Sequence, residues 1–155
     1  MNPTSDHPAT KVDAPVLLVI TILITIALQR FMPLLFFPSL PSHVLGAVLL
    51  LGGLTLGFPA LRGMLKASTS PNPHRPTTAL VFEGTYRFTR NPMYLSMLMI
   101  YAGISIFLQN PWFILFLPIL VLLITIWVII PEEKYLENKF GAPYLDFKSR
   151  VRRWL

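Results

Sequence analysis

Cysteine is absent from this chain, which excludes disulfides, thiolate metal ligands and a cysteine nucleophile. Charge is scarce as well. Asp, Glu, Lys and Arg make up 13% of the 155 residues, about half the quarter usual in a soluble domain. The histidines, His7, His43 and His74, lie far apart and form no ligand cluster, so no metal site is expected. What the chain has instead is apolar residues, 54% of the total, with a mean hydropathy of +0.60. That is more than a core of this size can hide, and several uninterrupted stretches are long enough to cross a bilayer. The composition therefore specifies an integral membrane protein. Its net charge of +6 is read through membrane topology rather than as a nucleic-acid footprint. No cleavage-site pattern follows the first apolar run, which is expected to be retained.

The fold expected is all-α: a single domain over 1–155, a membrane bundle of about four helices with an amphipathic C-terminal surface helix. The spans fall at about 15–37, 42–64, 92–108 and 111–130, separated by proline-rich breaks. Arg30, near the far end of the first span, is placed to snorkel to the headgroups. Gly53 and Gly57 in the second are four apart, so their shared face lets another helix approach closely. Gln109-Asn110-Pro111 is too short a link for anything but an antiparallel hairpin.

The one long polar connection, 65–91, contains Ser70-Pro71-Asn72-Pro73-His74-Arg75-Pro76 and should be extended. It carries Arg75, Arg87 and Arg90, and the tail carries Lys134, Lys139, Lys148, Arg150, Arg152 and Arg153. By the positive-inside rule both belong on the cytoplasmic face, as do both termini, in the cell or inner membrane if the source is bacterial. In the tail, 132–155, Leu136, Phe140, Tyr144, Phe147 and Val151 recur at helical spacing. Gly141 and Pro143 divide that pattern into two short helices expected along the membrane surface.

Two places resist a purely structural reading. Gly84-Thr85-Tyr86-Arg87-Phe88-Thr89-Arg90-Asn91-Pro92-Met93-Tyr94 puts two arginines and two tyrosines where the loop turns into an apolar helix. Glu132-Glu133 follows Pro131 where the last apolar run ends. A guanidinium at a membrane boundary needs partners, because desolvating it alone is costly. The hairpin makes these two places neighbours. An ion pair there either staples the hairpin or brackets a zwitterionic ligand, Arg90 taking a carboxylate and an acid taking an ammonium or ribose hydroxyls. Tyr86 and Tyr94 would supply a flat face for an aromatic base or a cation.

At these residues the chain resembles the membrane methyltransferases related to isoprenylcysteine carboxyl methyltransferase and phospholipid methyltransferase. The first half of the family pattern falls on Gly84, Tyr86, Arg90, Pro92 and Tyr94. The second falls on Glu132, Glu133, Leu136, Phe140, Gly141, Tyr144 and Phe147. The resemblance implies methyl transfer from S-adenosylmethionine to a lipophilic acceptor that enters from the bilayer lipids. It implies cofactor contacts from Gly84, Tyr86, Arg90, Asn91, Pro92, Tyr94, Glu132 and Glu133, with Arg90 and Glu133 as the catalytic pair. An isoprenylcysteine-type carboxylate is the first acceptor expected, since it needs no general base. A phospholipid amine is the second, and a non-enzymatic membrane scaffold that keeps the motif as a clasp is the third reading. Asn91 stands where many relatives have histidine and cannot titrate near neutrality.

Overall fold

The structure, a computed structural model, describes residues 6–34 and 40–155. It is helical, with no strand among the described residues. Helix α1 spans Ala14–Phe31, α2 Leu40–Lys66, α3 Pro92–Phe107 and α4 Pro111–Ile124. A π-helical segment, Thr125–Ile129, then leads straight into α5, Ile130–Phe140, and α6 covers Ala142–Arg150. Three helices are long and apolar enough to cross a membrane: Ala14–Phe31, Pro41–Lys66 and the continuous Pro111–Phe140. The apolar α3 has 16 residues, roughly 24 Å of helix.

The first span was expected to run to about Phe37. Its helix ends at Phe31, and Phe37 and Pro38 lie outside the described residues. Proline starts α1, α3 and α4, where its missing N–H costs nothing. Asn110 caps α4 by accepting from the Trp112 N–H at 3.1 Å.

The bundle is two helix pairs joined through α3 and α4. In the first, α2 and α3 approach so closely that glycine is required. A Cβ on Gly46 would lie 3.0 Å from the Gly103 carbonyl oxygen, and one on Gly53 would lie 2.7 Å from Ile100 Cγ1. Between Gly53 and Gly57 sits Ser96, whose hydroxyl donates to the Gly53 carbonyl at 2.7 Å. The second pair is α1 on α4, where α1 buries the small face Ala14, Leu17, Thr21 and Thr25. Thr21 and Thr25 send their hydroxyls back to their own helix, at 2.7 Å to Leu17 O and 2.9 Å to Thr21 O. The core runs through Leu98, Tyr101, Phe113, Leu120, Ile124 and Val128.

The chain does not break at Pro131, where the fourth span was expected to end. Pro131 has no N–H for the Trp127 carbonyl one turn earlier. The helix absorbs this with the π segment, and Lys11 N–H donates to the Trp127 oxygen at 3.2 Å. Glu132 and Glu133 thus lie inside a continuous 30-residue helix rather than at a loose end. That continuity sets where the two acids stand.

Candidate functional site

At one end of the bundle the motif stretch folds back between α2 and α5. Residues Gly84–Arg87 form a single 3-10 turn entered at Gly84, whose φ of +64° is the left-handed region that favours glycine. Pro92 starts α3, so Arg90 and Tyr94 flank its first turn. Two chain segments separated by 38 residues meet there: Tyr94 Oη donates to Glu132 Oε2 at 2.8 Å. Beside it Arg90 Nη2 lies 3.2 Å from Glu133 Oε1, with both side chains more than nine-tenths buried. The expected encounter of the two motif halves is present.

The sequence did not anticipate a third segment. Residues 152–154 run alongside 89–91, with Arg90 N–H donating to the Arg152 carbonyl at 3.0 Å. Thr89 Oγ1 and Asn91 Nδ2 both donate to the Arg153 carbonyl, each at 3.0 Å. Arg153 then grips Glu133 with its planar fork, Nε to Oε1 at 3.1 Å and Nη2 to Oε2 at 2.8 Å. Glu133 therefore has both oxygens engaged by arginines. The carboxylate in turn raises the basicity of the Arg153 guanidinium. Nothing in the spacing of Arg150, Arg152 and Arg153 marks the last of them, which is why all three were read only as topology signals.

Arg90, Asn91, Tyr94, Glu132 and Glu133 line an open-mouthed cavity of about 100 Å³. Its wall holds Tyr86, Arg90, Asn91, Pro92, Met93, Tyr94, Glu132 and Glu133. Leu136, Tyr144 and Phe147 close another side. The tail's apolar stripe, expected to lie along the membrane surface, thus turns partly inward, and Phe82 stacks edge-on against Phe147 at 5.0 Å. The proline-rich loop supplies Thr69, Pro71 and Thr77. Burial and the negative charge of Glu132 push the Tyr86 phenol well above its ordinary range, so it stays a neutral hydrogen-bonding group. Gly84 is elsewhere: it lines a separate recess with Arg62, Lys66 and Phe82.

One feature of this wall is unsatisfied. Arg90 Nε and Nη1 are buried and have no hydrogen-bond partner among the described residues. Each orphaned donor costs about 1–3 kcal/mol, more when charged. A site with a carboxylate-hungry guanidinium, an acid, phenols and apolar walls suits an amphoteric ligand.

The chain is thus a helical membrane bundle with a cavity at one end. The phospholipid methyltransferase family model matches residues 41–143, and the chain belongs to this family of membrane methyltransferases. An uncharacterized protein of Haemophilus influenzae is 44% identical over 63 residues, which cover 41% of this chain and all of that protein. No solved structure matches.

Proposed function

We propose that the protein transfers a methyl group from S-adenosylmethionine to a lipophilic acceptor, with the cavity mouth on the cytoplasmic side. The observation that carries this reading is Arg90, a residue of the cavity wall whose buried Nε and Nη1 have no hydrogen-bond partner among the described residues. A carboxylate of the ligand would satisfy them. Glu132, oriented by Tyr94, would take its ammonium or ribose hydroxyls. Tyr86 and Tyr94 would flank the base, with Asn91 and Pro92 shaping the wall. When bound, S-adenosylmethionine supplies an electrophilic methyl group on a sulfonium. The chain's part is alignment and water exclusion, which Leu136, Tyr144 and Phe147 serve.

An isoprenylcysteine-type carboxylate is the first acceptor, because it attacks without losing a proton. A phospholipid amine is favoured by a different observation, the carboxylate of Glu132 in the cavity wall, which is able to accept the proton an ammonium must lose. Calorimetry of the purified protein with S-adenosylmethionine tests the cofactor: no binding at millimolar concentration overturns the reading and favours a structural clasp. Lipid extraction after incubation with labelled methyl donor tests the acceptor. Base-labile label indicates a carboxyl ester, and stable headgroup label indicates the amine.

A further inference from the structure

We propose that Arg153 is a positioning residue for the ligand's carboxylate, acting through Glu133 on Arg90. This deepens the cofactor reading above and rests on it. A carboxylate free to choose would meet Arg90 end-on, with one oxygen on each terminal nitrogen. Glu133 does not. Its two oxygens are already held by Nε and Nη2 of Arg153, so it reaches Arg90 through Nη2 alone. Nη1 is thereby left unpaired, along with Nε, on a residue that lines the cavity.

Charge works in the same direction. Arg153 is about one-third exposed, and one carboxylate between it and the buried Arg90 leaves these three groups with an excess positive charge. Without Arg153 the Arg90–Glu133 pair would be neutral and self-satisfied. With it, an arriving anionic group meets that positive charge. Arg153 is itself held firmly, which a role in positioning requires. Its carbonyl accepts from Thr89 and Asn91, and the neighbouring Trp154 packs against the buried core. Asn91 thus contributes through the tail, its amide spent on the backbone that carries Arg153.

The test compares two ligands on the full-length protein in detergent, S-adenosylmethionine and its decarboxylated analogue, by calorimetry. Arg153→Gln should weaken S-adenosylmethionine roughly tenfold or more, the loss of one charge-assisted contact. It should leave the analogue, which has no carboxylate, within about twofold. Arg153→Lys keeps the charge without the fork and should recover part of the loss. Should Arg153→Gln fail to purify folded, the ratio of the two affinities in Arg153→Lys decides in the same way. Equal weakening of both ligands assigns Arg153 a merely structural role and overturns the proposal. So does unchanged affinity for S-adenosylmethionine in a variant whose parent binds it. Failure of the unmodified protein to bind either ligand overturns the cofactor reading itself, a distinct result.

Discussion

The Tyr94 hydroxyl donates to Glu132 Oε2 at 2.8 Å, joining the first turn of α3 to the far part of the helix that begins at Pro111. The contact closes the hairpin and also aims a carboxylate at the cavity. Tyr94→Phe separates the two roles. It removes a hydrogen bond to a half-buried acid, worth about 1.5–3 kcal/mol, and keeps the ring as a cavity wall. The expected outcome is a lower thermal midpoint together with weaker S-adenosylmethionine binding. A variant that melts lower but binds normally would make Tyr94–Glu132 a staple only.

Glu133→Gln should be the more damaging change. Among the described residues its carboxylate is the only acid paired with the buried Arg90, at 3.2 Å, or with the partly exposed Arg153, at 2.8 Å. Neutralising it leaves two guanidiniums facing each other with an amide between them. Breaking a buried pair in this way costs about 3–5 kcal/mol, so the variant is expected to fold poorly in detergent. Arg90→Ala removes one of the two opposing charges, so it should melt above Glu133→Gln. A differential scanning measurement on both variants checks the order.

The meeting of the Arg90 stretch with Glu132-Glu133 was legible because a short link forces α3 and α4 antiparallel and each half-motif stands at the end of an apolar run; that Arg90 takes Glu133 while Tyr94 takes Glu132 was not. The glycine face of α2 was legible for a similar reason: spacing of four leaves one side without Cβ atoms. Arg153 was not legible, because its role depends on a backbone pairing between residues 152–153 and 89–91 that leaves no periodic trace. The uninterrupted helix through Pro131 was missed on another ground. A proline reads as a break unless a distant donor satisfies the stranded carbonyl, and that donor is the N–H of Lys11, far away in sequence.

The α2–α3 contact makes a graded prediction. An alanine at Gly53 would bring Cβ to 2.7 Å from Ile100 Cγ1 and 3.0 Å from the Ser96 carbonyl oxygen. Backbone cannot yield as a side chain can, so overpacking should cost about 1–3 kcal/mol. Gly63→Ala meets only Val81 Cγ1 at 3.4 Å and gains helix propensity of about 1 kcal/mol. Thermal melts of the two variants should therefore move in opposite directions, Gly53→Ala down and Gly63→Ala level or up. Equal, small shifts would mean that α2 and α3 are less tightly seated than these distances require.

The N-terminal segment makes a pH prediction. Lys139 Nζ donates to both carboxylate oxygens of Asp6, at 2.6 and 2.8 Å, and Tyr135 Oη donates to Asp6 while accepting from Thr77 N–H. The Lys139 hydrogen bond holds the Asp6 carboxyl below its ordinary value of 3.8, outweighing the opposing effect of desolvation. The group's folded value is the lower one, so its contribution is fully present above 3.8 and is lost as pH falls through the folded value. Asp6 is exposed, so the effect is local: residues 6–13 should loosen from α5 while the helices stay folded. Hydrogen exchange should find these amides less protected, after correction for intrinsic rates, at a pH of about 2.5 than at about 6. Asp6→Asn should carry the low-pH pattern at both. If the variant and the parent protein are equally protected at neutral pH, the segment is held by the Lys11–Trp127 and His74–Asp13 contacts rather than by Asp6.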